Sequence, residues 1–162
     1  MGSSDYYTML VCKNGHVITD SLERSACDDK FCDRCGAPTI SSCPTCGAKI
    51  RGDTKGGGVF IVGYVTPAPK YCPECGAPFP WTIATIESLR ELAELDDGLS
   101  DEDATELAKS AEATLSETPK TKAAAVRVKR ILTRAGRETA SAARDLLVDV
   151  MAETAKRIIW PS

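Results

Sequence analysis

The chain has 162 residues, of which 43% are apolar and 27% are charged, and its formal net charge is −3. These values are ordinary for a soluble globular protein of one domain or two small ones. The chain does not open on a basic stretch followed by an apolar one, and no apolar run reaches the roughly 18 residues of a spanning helix. We therefore expect a cytoplasmic protein without a secretory signal or a membrane-spanning segment.

The composition changes near residue 81. All eight cysteines, the only histidine and seven of the nine prolines precede Trp81, and the chain beyond it is rich in Ala, Leu, Glu and Lys. This change predicts two domains of different fold class. Residues 1–80 are expected to form a small metal-stabilised β domain of two zinc ribbons, and residues 81–162 an all-α region of three to four helices.

Short strands are predicted in the first domain. Residues 5–11 are aromatic and apolar, and the run HVIT from His16 follows an Asn-Gly turn, so each predicts a strand. The polar residues 21–30 predict a loop or one helical turn. Further along, Gly56–Gly58 predict a hinge at a hairpin tip, with an apolar strand from Val59 to Val65. Neither nucleotide-binding fingerprint accompanies these glycines.

The cysteines are spaced as metal ligands. Two Cys-x2-Cys pairs stand back to back between Phe31 and Cys46, and each pair can present two thiolates to one ion through a tight turn. In a reducing compartment such thiols are metal ligands more often than disulfide partners. A secreted disulfide framework is the alternative, but it leaves the paired spacing unexplained.

An internal repeat indicates which ligands share an ion. An aromatic residue precedes Cys32 and Cys72, and Gly-Ala-Pro follows Cys35 and Cys75. If the chain contains two copies of one small unit, the ligands at the start and at the end of each unit are expected to bind the same metal ion. The predicted ligands of site one are Cys12, Cys32, Cys35 and a fourth residue, either the preferred His16 or Cys27. The predicted ligands of site two are Cys43, Cys46, Cys72 and Cys75.

Four thiolates, or three thiolates and an imidazole, form the closed tetrahedral shell of a structural zinc site. We therefore expect two structural Zn²⁺ ions and no catalytic metal, although iron in a rubredoxin-like four-cysteine site fits the same ligands. No nucleophile with an adjacent base and no carboxylate pair in a cleft is indicated, so we expect no enzyme.

The second half of the chain has helical periodicity. A first helix is predicted from Trp81 until Asp96-Asp97-Gly98 ends it, and a capping-box pattern at Ser100 starts a second, which runs to about Leu115. A third is predicted to begin at Thr118-Pro119, with proline at its first position. Residues 120–160 predict one long helix or two helices broken near Gly136.

One apolar stripe is predicted along the end of the chain. It indicates either a face packed in the core or an amphipathic helix that meets a membrane surface or another subunit, with Trp160 as an anchor. The stripe consists of Ala143, Leu146, Leu147, Val150, Met151, Thr154 and Ile158.

The charges of the helical half are segregated. Eleven acidic residues lie between Glu87 and Glu117 against Arg90 and Lys109. A basic block follows, composed of Lys120, Lys122, Arg127, Lys129, Arg130, Arg134 and Arg137. The block suggests nucleic-acid binding. No aromatic residue is interleaved with it, so we favour compensation by the acidic block in an antiparallel helical pair.

Several segments together resemble a bacterial family of unknown function built on paired zinc ribbons. The resemblance covers about residues 5–82 and includes positions other than the ligands, and it implies a bacterial, cytoplasmic protein without implying an activity. The segments are CKNGHVIT from Cys12, FCDRCGA from Phe31, CPTC from Cys43, IRG from Ile50 and YCPECGAPFPW from Tyr71.

The favoured function is a non-enzymatic zinc-binding adaptor, with the ribbons recognising a protein partner and the helices serving docking or oligomerisation. One alternative is a RING-like ubiquitin-ligase-type module, in which Cys12/His16 would join Cys43/Cys46 and Cys32/Cys35 would join Cys72/Cys75. Another is a nucleic-acid-binding protein that uses the basic block at residues 120–137. Peripheral membrane contact through the last helix and homo-oligomerisation are also compatible with the sequence.

Overall fold

The computed structural model describes residues 5–56 and 61–161. The chain divides into two compact units, Met1–Thr82 and Ile83–Ser162. Short strands and two cysteine-rich clusters occupy the N-terminal half, and five helices follow in the described C-terminal region, which confirms the predicted fold class. The two units meet in the sequence next to residue 81, where the composition changes.

The strands of the first unit form two small antiparallel sheets. One sheet pairs β1 with β5, and the other has the order β3-β2-β4. In the second sheet Val11 lies opposite both Val17 and Ile40. The strands are β1 Tyr6–Thr8, β2 Leu10–Cys12, β3 Val17–Thr19, β4 Thr39–Ile40 and β5 Arg51–Thr54. The polar segment after β3 contains one 3-10 turn, Leu22–Arg24, as the sequence allowed.

A small core lies between these sheets and the cysteines. Phe79 and Trp81 stack with ring centroids 4.8 Å apart, and the Trp81 indole Nε1 donates to the Pro69 carbonyl over 2.8 Å. The buried members of this core are Met9, Val11, Cys43, Ile50, Cys72, Phe79 and Trp81. Two of these seven buried residues, Cys43 and Cys72, are candidate ligands. The packing of this core and the geometry of the ligands therefore depend on each other.

The apolar strand predicted over Val59–Val65 is wrong for the part of it that the structure describes. Gly57–Phe60 lie outside the described residues, and residues 61–65 form a turn without strand pairing. Ile61, Val62, Tyr64 and Val65 are all exposed. Their apolar character predicted a strand, but within the described residues no strand pairs with them.

The second unit is built from helices around one apolar core. The capping box predicted at Ser100 is present, since its hydroxyl accepts from the Asp103 amide and the Asp103 carboxylate accepts from the Ser100 amide. Helix α3 packs against α2, α4 and α5. The helices are α1 Pro80–Glu94, α2 Asp101–Ala113, α3 Thr121–Arg134, α4 Arg137–Leu147 and α5 Glu153–Ile159. None of the helices in the described ranges is long and apolar enough to cross a bilayer.

Helix α3 begins two residues later than predicted. Pro119 was expected at the first helical position, but Lys120 is the N-cap residue and Thr121 the first helical residue. The Thr121 hydroxyl donates to the Ser116 carbonyl over 2.6 Å and accepts from the Thr118 amide over 2.8 Å. These bonds hold the chain in a turn around Thr121, so the proline lies before the helix.

Residues 120–160 are broken twice, near Gly136 and after Leu147, and the sequence indicates only the break near Gly136. Helix α4 ends at Leu147, and the Ala152 amide donates to the Thr114 carbonyl over 2.9 Å before α5 begins. The predicted continuous stripe is therefore wrong beyond this turn. Ala143, Leu147 and Met151 are buried in the core, and Leu146, Val150 and Ile158 pack against it partly buried. In α5 the buried residues are Ala155 and Ile159, which the stripe did not include.

Part of the basic block faces the acidic block, as favoured from the sequence. Arg134 binds Asp103 with Nη2 and Oδ1 2.7 Å apart, and Arg127 lies 4.0 Å from Glu106. The N-terminal part of α2 thus lies beside the C-terminal part of α3, so the two helices are antiparallel. Both pairs are partly exposed, and such pairs contribute at most about 1 kcal/mol each.

Asp96 connects the end of α1 to the start of α4. Its carboxylate accepts from the Gly136 and Gly98 amides, each over 2.8 Å. A hydrogen bond from the Thr139 side chain, together with these two amides, lowers the pKa of Asp96 below its ordinary value. The ionised form is therefore the one that the folded state prefers.

Acid is expected to destabilise the helical unit partly through Asp96. Because its folded pKa is lowered, its stabilisation is complete above the unfolded pKa of about 3.9 and disappears as pH falls through the folded value. Asp96→Ala should therefore lower the urea midpoint at neutral pH. The variant's midpoint should also change less than the wild type's between neutral pH and about pH 3. Glu87→Ala removes an exposed carboxylate of α1 and is the control; an equal effect of both variants would contradict this role.

Candidate metal centres

Four similar turns position the candidate ligands. After Cys32, Cys43 and Cys72, the glycine amide four residues on donates to the cysteine carbonyl over 2.8 Å in each case. These glycines, Gly36, Gly47 and Gly76, have φ between 73° and 79°, a conformation that side-chain-bearing residues rarely adopt. The turn at Cys12 is a variant in which Gly15 donates to the Cys12 carbonyl over 2.9 Å. The Cys-x2-Cys-Gly pattern is thus a local backbone structure that aims two sulfurs at one point.

The structure brings Cys12, His16, Cys32 and Cys35 together as one group. The Cys12 sulfur lies 3.7 Å from the Cys35 sulfur and 3.5 Å from His16 Nδ1. His16 Nδ1 lies 3.6 Å from the Cys32 sulfur. The imidazole therefore occupies the fourth position that the sequence assigned to either His16 or Cys27.

Cys27 lies outside this group. Its thiol donates to Asp29 Oδ2 over 3.2 Å, within the polar segment before Phe31. Neither of the two potential metal-binding groups in the described chain includes it.

The second group contains Cys43, Cys46, Cys72 and Cys75. The Cys43 and Cys75 sulfurs are 3.8 Å apart, and the Cys46 and Cys72 sulfurs are 3.7 Å apart. The grouping is sequential, so the interleaved arrangement of a RING-like module is absent from this structure. The two back-to-back pairs between Phe31 and Cys46 accordingly belong to different groups.

These distances fit one metal ion in each group. A tetrahedral ion with metal–sulfur bonds of about 2.3 Å places its sulfurs about 3.8 Å apart, and a metal–nitrogen bond of about 2.05 Å makes the sulfur–nitrogen edge about 3.6 Å. The observed edges are 3.7 and 3.8 Å between sulfurs and 3.5 and 3.6 Å between sulfur and nitrogen. Disulfides require sulfurs about 2.05 Å apart, so none joins these cysteines. Iron bound by four thiolates has the same tetrahedral preference, so the four-cysteine geometry fits either zinc or iron.

The thiols of the second group influence each other's ionisation. The Cys46 amide is the main cause that lowers the pKa of Cys43, to about 6. The Ala48 amide lowers the pKa of Cys46, but burial and the three neighbouring thiols together raise it to about 12. Four thiolates at these distances repel one another, and a bound cation removes that conflict.

The first group has hydrogen-bond donors around its sulfurs. A hydrogen bond from the Ala37 amide is the main cause of the lowered pKa of Cys35, which is about 6. A hydrogen bond from the Asn14 side chain is the next largest cause. Asn14 Nδ2 lies 3.4 Å from the Cys35 sulfur, and the His16 amide donates to the Cys12 sulfur over 3.3 Å. The sequence indicates Asn14 only as a turn residue; its position in the CKNGH run, between two candidate ligands, is the signal that it also contacts a sulfur.

Within each pair one cysteine is buried and one is exposed. Cys32, Cys43 and Cys72 are buried, whereas Cys35, Cys46 and Cys75 are exposed. The clusters therefore lie at the surface of the first unit with one side against its core.

The fold and the two groups define a class of protein, one with a double cysteine-rich metal-binding unit followed by a helical unit. A family model described as an uncharacterised protein conserved in bacteria (DUF2321) matches residues 5–159, and the chain belongs to this family. The match extends beyond residues 5–82, where the sequence motifs carried the resemblance, and includes the helices. Comparisons with curated proteins and with solved structures gave no significant match.

Proposed function

We propose that this chain is a non-enzymatic interaction protein whose first unit is a double zinc ribbon with two structural Zn²⁺ ions. The observation that carries the proposal is the closure of both ligand groups. Each supplies four ligand atoms within 4.8 Å of one another, and a tetrahedral ion held by all four has no position left for substrate or water. Zinc is the metal proposed because three-cysteine, one-histidine and four-cysteine shells are its usual structural sites.

An exposed apolar segment supports recognition of a protein partner. Val62 is 86% exposed, and Ile61, Tyr64 and Val65 are each more than half exposed. Neighbouring apolar residues that the protein itself leaves uncovered mark interaction surfaces. A partner that covers these side chains removes their apolar surface from water, and this burial favours binding. We name the described residues 61–65 the ribbon segment.

Affinity capture tests the proposal. Full-length zinc-loaded chain is expected to enrich a protein from a bacterial lysate, and Val62→Asp/Val65→Asp should lose it because two carboxylates cannot enter an apolar interface unpaired. Quantitative mass spectrometry of the captured proteins is the measurement, with Cys27→Ser as a control that changes neither the ribbon segment nor the ligand groups.

Capture that is equal for the wild type and the Val62→Asp/Val65→Asp variant would exclude the ribbon segment as the interaction surface. Turnover that requires either metal site would contradict a non-enzymatic role.

A further inference from the structure

Two helices of the second unit leave an apolar groove between them. Leu92 of α1, Leu95 just beyond it, and Ala142 and Leu146 of α4 supply its apolar lining, around a cavity of about 500 Å³. Leu95 is 82% exposed, whereas Leu89, within α1, is fully buried in the core. We call this feature the α1/α4 groove.

Each helix contributes one carboxylate to the groove. Glu91 of α1 and Asp145 of α4 both line it. The ion pairs found among residues 5–56 and 61–161 include neither side chain. Both carboxylates are exposed, and an occupant with an apolar side chain flanked by cations complements this lining.

The chain has a surface of that description. Lys122, Val126, Lys129 and Arg130 recur at the spacing of one helical stripe on α3, and all four are exposed. Val126 is 45% exposed, in the middle of the cations. We call these four residues the α3 outer face.

The cations of the α3 outer face are not those that the acidic block compensates. Arg127 and Arg134 form the ion pairs with α2, whereas Lys122, Lys129 and Arg130 form none in the described part of the chain. Arg127 and Arg134 of α3 therefore form ion pairs within the helical unit, whereas the other three cations are exposed to solvent.

We propose that the α1/α4 groove binds the α3 outer face of a second copy of this chain. Val126 enters the apolar lining, and Lys129 and Arg130 approach Glu91 and Asp145. The inference goes beyond the proposed function and gives the helices, which the sequence predicts to serve docking or oligomerisation, a second copy of this chain as their partner. Charge complementarity sets the register of such a contact, because shifted arrangements bring like charges together.

The contact joins two different surfaces. Because a heterologous contact of this kind leaves one groove and one α3 outer face free in each pair, further copies can add unless the assembly closes into a ring. Exposed charges are screened by salt, with a Debye length of about 8 Å at physiological ionic strength. Association is therefore expected to increase with protein concentration and to decrease with added salt.

Sedimentation velocity of the full zinc-loaded chain tests the proposal. At low salt, the weight-average mass is expected to rise by about twofold or more across a concentration series, and high salt should reverse the rise. Glu91→Lys/Asp145→Lys and Lys129→Glu/Arg130→Glu should each remain monomeric. Glu102→Lys/Glu112→Lys changes the net charge of exposed α2 positions by the same amount as the groove variant and should associate like the wild type.

A mixture of the two charge-reversed variants separates a broken contact from a misfolded protein. Glu91→Lys/Asp145→Lys has a basic groove, and Lys129→Glu/Arg130→Glu has an acidic α3 outer face, so mixing them should restore a complex that neither variant forms alone. A wild type that stays monomeric at low salt, or association that survives both reversals, would overturn the proposal. If such a monomer still captured a partner through the ribbon segment, the proposed function would stand without self-association.

Discussion

Cys72→Ser is expected to unfold the first unit and leave the helical unit folded. Cys72 is both a member of the second ligand group and a buried residue of the first core. A small scaffold of this kind draws about 3–5 kcal/mol from its apolar core, whereas a structural zinc contributes about 10–16 kcal/mol of apparent binding free energy. Because the free energy of zinc binding is several times larger than that of the apolar core, we expect the core alone to be too weak to keep the unit folded. The helices have a separate apolar core and should retain their circular dichroism signal.

The measurements are zinc content per chain and amide dispersion in the NMR spectrum. The wild type should hold two zinc ions, and both Cys72→Ser and His16→Ala should lose zinc and the dispersed signals of the first unit. Cys27→Ser removes a thiol that lies outside both groups and should keep two ions. A chelator-treated wild type with native dispersion would show that the fold does not depend on metal.

Leu89→Ala is expected to lower the free energy of unfolding of the helical unit by about 2–5 kcal/mol. Leu89 is fully buried in the core of that unit, and its truncation leaves a cavity among residues that cannot all collapse onto it. Urea unfolding, followed by far-ultraviolet circular dichroism, gives the value.

Leu95→Ala is the matched control for Leu89→Ala. The same truncation at a side chain that is 82% exposed should change stability by less than about 0.5 kcal/mol. Equal losses for the two variants would mean that Leu95 is buried in solution. At association-promoting concentrations, Leu95→Ala should weaken the proposed self-association while leaving the dilute monomer stable.

The ligand sets were within reach of the sequence because their determinants are local. Each Cys-x2-Cys-Gly turn is closed by a backbone hydrogen bond between residues four apart, and the positive φ that it needs is provided by glycine. The repeat of aromatic residue, cysteine pair and Gly-Ala-Pro then suggested which pairs belong together, and the structure groups the side chains in that way. The capping box at Ser100 is local in the same sense.

The predictions that the structure corrects concern features set by distant partners. The turn that separates α4 from α5 is held by the Thr114 carbonyl, 38 positions before the Ala152 amide that it accepts from, and no periodicity reveals such a bond. Apolar character at Val62 and Val65 predicted a strand, but a strand forms only where another strand supplies its hydrogen-bond partners, and none in the described residues does so there. The sequence also could not tell that Arg127 and Arg134 pair with α2 while Lys129 and Arg130 face outward.

By itself, then, the sequence determined the candidate donor atoms, the turns that aim them and the change from a cysteine-rich unit to a helical one, because each depends on residues a few positions apart. Only the tertiary structure decided that Leu89 is covered and Leu95 is not, and which cations of α3 remain outside. The physical reason is that burial and ion pairing are properties of neighbours in space, and the packing of five helices selects those neighbours.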